Sequence, residues 1–172
     1  MIILLFIKYM LFLFIFLSST LVGILISKKY ISRVKELKEF KSFLNILKTK
    51  IRFTYEPLGE IFFDTSNSFS NNVSDILKKT SYYMKTNTAG QSWKMAIEDS
   101  DTNILNEDKN VLVSLSKMLG KTDLEGQVNQ IEQTSEFLDI QIQKAEKERD
   151  KNEKLYKSLG MIIGISLVIL LI

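Results

Sequence analysis

The chain has 172 residues, of which 45% are hydrophobic and 25% charged, and its net charge of +3 is small, so it is neither disordered nor fibrous. It contains no Cys and no His, which excludes disulfides, thiolate nucleophiles, Cys/His zinc sites and histidine acid–base catalysis. One Pro and seven Gly leave few breaks for a β-rich fold, so the composition predicts an all-α protein.

The chain begins with an apolar segment in which residues 9–26, YMLFLFIFLSSTLVGILI, carry no charge. Eighteen such residues are long enough to span a bilayer as a helix, and we predict an N-terminal transmembrane helix within residues 1–27. The alternative is a cleaved signal peptide, which has a positively charged start, a shorter apolar core and a small-residue cleavage site. Here the start is uncharged and only Ser18, Ser19 and Thr20 resemble a cleavage site, so we favour the span.

The first helix is predicted to continue beyond the membrane, because apolar residues recur there at spacings of three and four. They are Tyr30, Val34, Leu37, Phe40, Leu44, Leu47 and Ile51. The stripe ends near Tyr55, and Pro57 breaks the helix, since proline disfavours helix in the preceding residue and suits the first turn of a new one. A short second helix is expected to start at Pro57 with Leu58, Ile61 and Phe62 inward.

Three further helices are predicted between polar loops. Residues 64–72 are rich in Ser and Asn, and Asn72 or Ser74 can cap a third helix that ends at Met84. A fourth helix is expected over residues 89–98 and a fifth over residues 107–119. Their inward residues are Val73, Ile76, Leu77 and Tyr83, then Trp93 and Ile97, then Val111, Leu112, Leu115 and Met118.

The segment LGKTDLEGQ, residues 119–127, separates the fifth helix from the last one. Gly120 is expected to end a helix in the left-handed conformation. Thr122 and Glu125 fit a T-x-x-E capping box for the last helix. Nothing breaks that helix before Gly160, so it is predicted to continue into a second span. Its apolar face is Leu124, Val128, Ile131, Leu138, Ile142 and Ala145.

The second apolar segment, residues 159–172, is LGMIIGISLVILLI. As a helix it rises about 21 Å, against a hydrocarbon core of about 30 Å. Leu155 and Tyr156 can lengthen it, and we predict a short C-terminal transmembrane helix; the alternative is a segment that enters the bilayer only part-way.

Basic residues flank both segments on the inner side of the sequence: Lys28, Lys29 and Arg33 after the first, Lys154 and Lys157 before the second. The positive-inside rule then predicts a cytoplasmic domain of residues 28–158 with both termini outside. Contact of these residues with anionic membrane lipid is a further expectation.

Small residues recur four apart in both spans, at Ser19 and Gly23 in the first and at Gly160 and Gly164 in the second. Such faces allow close helix–helix approach, so the spans are predicted to pack on each other or on a partner, although glycine is also common in membrane helices for other reasons.

No catalytic, metal or cofactor site is indicated. Gly120-Lys121-Thr122 resembles the end of a phosphate-binding loop, but position 115 is Leu and no strand precedes it. Asp123 and Glu125 could be paired carboxylates, yet helix capping explains them more simply. The basic residues lack interleaved aromatic residues, which argues against nucleic acid. We therefore expect a protein that is not an enzyme.

Four segments, in this order, resemble the stage III sporulation protein AB family of endospore-forming bacteria. They are the amphipathic helix with Tyr30 and Arg33 that leads to Pro57-Leu58, Trp93 with Ala96, the LGxxDxxxQ residues Leu119, Gly120, Asp123 and Gln127, and KLYKSLG at 154–160. Lys48-Thr49-Lys50 departs from the family, which has an acidic residue before the position of Ile51.

The resemblance implies a bundle of about six antiparallel helices, similar to the cytoplasmic domain of platform proteins in type II secretion and type IV pilus systems. It implies a non-enzymatic subunit of the channel complex between mother cell and forespore, in the mother-cell membrane around the forespore. The implied partners are the cytoplasmic ATPase of that complex, its other membrane subunits and possible further copies of the chain. A two-span adaptor or signalling anchor unrelated to sporulation is the alternative.

Overall fold

The protein is all-α, as the composition predicts. The computed structural model describes residues 2–54, 56–69 and 71–171, and the side chains of all of these except 2–5 and 71. These parts contain no strand. Their helices are α1 (Ile2–Phe53), α2 (Leu58–Ser66), α3 (Asn71–Tyr83), α4 (Ala89–Glu98), α5 (Asn106–Ser114), a short 3-10 helix (Leu115–Lys117) and α6 (Leu124–Leu171). The predicted end of the first stripe near Tyr55 lies outside the described residues.

The chain forms two compact units. One, the helix pair, consists of Met1–Ser32 and Ala145–Ile172, and the other, the bundle, is Arg33–Lys144. Compared with the predicted boundaries, the helix pair also takes residues 28–32 and 145–158. Both α1 and α6 contribute residues to both units.

An aromatic cluster around Trp93 forms the centre of the bundle. The Trp93 ring contacts Phe40 and Phe43 of α1 and Phe62 of α2, with ring centroids 6.2, 6.0 and 5.7 Å away. All four side chains are fully buried. The indole Nε1–H donates to the Leu112 carbonyl oxygen at 2.6 Å, which satisfies the one polar group of this side chain. Trp93 thus joins α1, α2, α4 and α5.

Helix α6 runs antiparallel to α1 along the bundle. Two ion pairs fix the register: Lys41 Nζ lies 2.5 Å from Asp139 Oδ1, and Lys48 Nζ lies 3.4 Å from Glu132 Oε1. Both pairs are half-exposed, and such pairs contribute only about 0.2–1 kcal/mol each. The apolar face of α6 provides most of the stabilisation. It buries Val128, Ile131, Leu138, Ile142 and Ala145.

The helices agree with the prediction in the middle of the bundle and differ from it at helix ends. Helix α4 has the predicted bounds. Asn72 and Ser74, proposed as caps of α3, both lie inside that helix. Met118 and Leu124, expected in the core, are 38% and 47% exposed, because both lie at the turn where the bundle ends. Pro57 precedes α2, and its carbonyl oxygen accepts the first two helical N–H bonds, from Glu60 and Ile61.

Candidate functional site

The turn between α5 and α6 is built around Gly120 and Gln127. Gly120 has φ +71°, the left-handed conformation that the sequence predicts. The Gln127 amide spans the turn: its Oε1 accepts from the Gly120 N–H at 3.0 Å, and its Nε2 donates to the Thr122 carbonyl at 3.0 Å. Leu119 is buried beneath the turn. Leu119, Gly120 and Gln127 therefore define one local structure, which explains their spacing.

The capping box predicted at Thr122 and Glu125 is wrong by one residue. Helix α6 begins at Leu124, and the Asp123 carboxylate accepts the N–H of Gly126 at 3.1 Å, so Asp123 is the capping residue. Thr122 instead donates its hydroxyl to the Met118 carbonyl at 3.4 Å. The Thr122 carbonyl accepts from the Gln127 side chain, and the backbone N–H of Gln127 donates to the Asp123 carbonyl at 3.1 Å, which places the start of the helix after Asp123. Glu125 is exposed in the first turn of α6, where its negative charge interacts favourably with the positive end of the helix dipole.

Replacing Gly120 by Ala is expected to lower the free energy of unfolding by about 1–2 kcal/mol, since an L-residue is strained at positive φ. A new Cβ would also lie 3.0 Å from Ala89 Cβ. Thermal unfolding of the solubilised chain, followed by the fluorescence of its single Trp, measures the change. The matched control is Gly59→Ala, where the nearest atoms are 3.9 Å away and no loss is expected. Equal unfolding temperatures for the two variants would contradict the strain at Gly120.

A buried ion pair ties α1 to α5. Arg33 Nε and Nη2 donate to Asp108 Oδ2 and Oδ1 at 2.8 and 3.0 Å, a bidentate geometry, and the two side chains are 5% and 0% exposed. Asp108 Oδ2 also accepts the Leu105 N–H at 2.8 Å and so caps α5. Arg33, predicted among the basic residues that flank the membrane, is instead buried against Asp108.

A second buried acid, Glu36, lies on α1 about one turn after Arg33. Glu36 accepts hydrogen bonds from the Asn72 side chain (2.8 Å) and from both the backbone N–H (3.1 Å) and the side chain (2.8 Å) of Asn103. This carboxylate thereby fixes the loop between α4 and α5 onto α1. Neither buried acid was predicted. The sequence does contain a signal for the burial of Glu36, because it lies four residues before the core residue Phe40 and so on the same helix face. The same spacing relates Arg33 to Leu37.

In the helix pair, the small residues predicted for close packing lie where the two helices approach each other. A Cβ on Gly23 would be 3.0 Å from Gly160 Cα, and one on Gly164 would be 3.3 Å from Phe16 Cα. Ser19 Oγ donates to the Gly160 carbonyl at 2.8 Å. The interface therefore uses all four predicted positions within one chain, which is the packing that small residues allow in membranes.

By length and composition, α1 and α6 could each cross a membrane, with mean hydropathy of 2.4 and 1.8 in their most apolar windows. Only 11% of each window is buried in the protein. These properties are weakly compatible with membrane association.

Next to the apolar segments, Tyr30 and Tyr156 stack with ring centroids 5.9 Å apart. A side-chain hydrogen bond with Tyr156 raises the pKa of the Tyr30 phenol. Since this moves the pKa further above neutral pH, Tyr30 stays protonated there. Lys28, Lys29 and Lys154, which lie within two residues of one of these tyrosines in the sequence, are exposed, and Lys157 pairs with Glu153 at 2.7 Å.

Among the described residues, no three acidic side chains come close enough to hold a metal ion. A surface cleft of about 300 Å³ lies between α3 and the loop that follows α4, lined partly by Asp75, Lys79 and Asp101. Asp123, considered as half of a carboxylate pair, is used as a helix cap, and Gln127 is used to close the turn.

This architecture defines a class: a helical bundle whose first and last helices each continue as an apolar segment long enough to span a membrane. The chain belongs to the stage III sporulation protein AB family, whose match covers residues 8–172. The assignment agrees with the resemblance seen in the sequence.

Two known proteins are similar to the chain. Stage III sporulation protein AB of Bacillus subtilis (strain 168) is 26% identical over 162 residues, which are 92% of this chain and 95% of the relative. A solved structure of a stage III sporulation protein AB aligns with a TM-score of 0.64 at 18% identity and covers 69% of this chain and 96% of its own. At that identity the structural likeness supports the fold.

Proposed function

We propose that the chain is a non-enzymatic platform subunit of a secretion-like channel complex between mother cell and forespore, and that a cytoplasmic ATPase docks on its bundle. Family membership supports a role in a sporulation complex. The observation that carries the platform role is that α1 and α6 each contain both a bundle segment and an apolar segment. The bundle, which the ATPase would contact, is therefore joined to the apolar segments, which the membrane would hold, by helical backbone without a Gly or Pro linker.

The non-enzymatic part of the proposal has support from the way the polar residues are used. The two most buried acids, Glu36 and Asp108, are engaged in hydrogen bonds that fix loops and helix ends. Asp123 and Gln127 serve the turn before α6. The other membrane subunits of the complex are the partners we propose for the lipid-exposed faces of the helix pair.

Binding of the ATPase is expected to require the bundle and not the apolar segments. Purified full-length chain in detergent, and separately a fragment of residues 28–158, should each retain the ATPase of the same complex on an affinity resin. The full-length chain carrying Asp108→Ala, which destabilises the bundle, should retain less of the ATPase than the parent chain. Failure of both the full-length chain and the fragment to bind would contradict the docking role.

The bundle is expected on the cytoplasmic side, with both termini outside, because the basic residues Lys28, Lys29 and Lys154 lie on the bundle side of the apolar segments. The absence of Cys in the sequence allows a direct test with single cysteines. The variants are expressed in vegetative cells, where the chain would lie in the plasma membrane. Lys117→Cys, on the exposed end of the bundle, should there react with a membrane-impermeant maleimide only after permeabilisation of protoplasts. Lys8→Cys should react in intact protoplasts, and the reverse pattern would show the opposite topology.

A further inference from the structure

Four exposed lysines of the helix pair, Lys28, Lys29, Lys151 and Lys154, form what we call the basic belt. Within the part of the chain that the structure describes, no ion pair involves any of these four lysines, whereas four other charged residues of the same unit are paired. Lys157 pairs with Glu153, and Arg149 pairs with Asp150 at 2.8 Å. Asp150 and Glu153, the acids nearest to Lys151 and Lys154 on the membrane side of α6, are therefore paired with other cations and not with the belt.

The packing of the two helices brings the belt lysines to one level. Gly23 lies against Gly160 and Tyr156, and Tyr30 stacks on Tyr156, so Lys28 and Lys29 of α1 lie beside the turn of α6 that contains Lys154. All are within about two to three turns of an apolar segment. The sequence alone could not show this register, because it depends on which residues of α1 and α6 face each other.

The belt surrounds the helix pair on its outer sides. On α1, Gly23 and Tyr30 face α6, and Lys28 and Lys29 lie about 140° and 120° from that face, in opposite directions. On α6, Lys151 and Lys154 lie about 140° and 160° from Tyr156, which faces α1. The positive charges thus point to the surroundings of the pair, at the level of the two tyrosines, rather than into a protein cleft.

We propose that the basic belt binds the phosphate headgroups of anionic phospholipids around the helix pair. The inference rests on the proposed membrane anchoring and adds a lipid selectivity to it. An ammonium group favours an anionic headgroup over a zwitterionic one by up to about fivefold for each lysine near the surface. Several lipids can be held at once because the belt points to more than one side, a geometry that suits a lipid layer and not a single dissolved phosphate.

The test uses the full-length chain in nanodiscs of equal phosphatidylglycerol and phosphatidylcholine, with bound lipids counted by native mass spectrometry. The parent chain should retain phosphatidylglycerol several-fold in excess. The belt variant, with Lys28, Lys29, Lys151 and Lys154 changed to Gln, should retain the two lipids about equally. The control changes four exposed bundle lysines to Gln, removes the same charge and should keep the preference of the parent. These are Lys78, Lys85, Lys117 and Lys121.

A belt variant with the preference of the parent, or a parent with none, would overturn the proposal. Inorganic phosphate at the headgroup concentration should leave the preference unchanged; competition would assign the belt to soluble phosphate and reject lipid as its ligand. Alkaline extraction of membranes separates this result from the anchoring itself. Parent and belt variant should both resist extraction, whereas release of the parent would overturn the anchoring and, with it, the lipid binding.

Discussion

An Asp108→Ala variant is expected to lose about 3–5 kcal/mol of bundle stability, because the change leaves the Arg33 guanidinium buried without its bidentate partner. It also removes the carboxylate that accepts the Leu105 N–H at the start of α5. Thermal unfolding of the solubilised full-length chain, followed by Trp93 fluorescence, measures this loss of stability. Trp93 is a suitable probe because it is buried in the core of the bundle.

Two further variants separate the buried charge from the packing around it. Arg33→Met combined with Asp108→Leu removes both charges and should recover much of the loss, as replacement of a buried pair by apolar residues often does. Asp139→Ala breaks the half-exposed pair with Lys41 and should cost no more than about 1 kcal/mol. If Asp108→Ala and Asp139→Ala unfold at the same temperature, the structural role given to the buried pair is wrong.

Gly23→Ala should separate the two helices of the helix pair. Its new Cβ would lie 3.0 Å from Gly160 Cα and even closer to the Tyr156 carbonyl oxygen, and these backbone atoms cannot move aside without parting the helices. We expect a cost of about 1–3 kcal/mol for the interface. Since alanine favours a helix more than glycine does, a loss of pairing cannot come from α1 itself.

Pairing can be measured with Cys introduced at Tyr30 and Tyr156, whose rings are 5.9 Å apart, and a short thiol cross-linker. Cross-linking should be efficient in the parent and strongly reduced by Gly23→Ala. Val22→Ala, at a neighbouring exposed position, should leave it unchanged. Undiminished cross-linking in Gly23→Ala would mean that the close approach at this glycine is not required for pairing.

The parts of the structure that the sequence predicts are those set by local chemistry. Helix α4 is predicted with its observed ends, because its apolar positions are at helical spacing between two polar segments, and in the structure Thr88 caps it. The positive φ of Gly120 follows in the same way from a glycine placed after a helix.

The parts that the sequence does not predict depend on distant partners. The position of Arg33 next to the predicted span suggests a cation on the surface. Its burial depends on Asp108, which lies 75 residues away in the sequence. Thr122 and Asp123 are both residue types that cap helices, and the sequence pattern alone favours Thr122 because Glu125 follows it by three. In the structure Asp123 caps α6, and the Thr122 carbonyl accepts from the Gln127 side chain within the turn.

The Glu36 carboxylate has a consequence for the time scale on which the bundle opens. The loop between α4 and α5 has no regular hydrogen-bonding pattern, yet its Asn103 N–H is bonded to an acid that is 3% exposed and lies on α1. That amide can exchange its hydrogen with solvent only when α1 and the loop part. Exchange at Asn103 should therefore report the separation of this loop from α1 and should be slower than exchange at loop amides that face solvent.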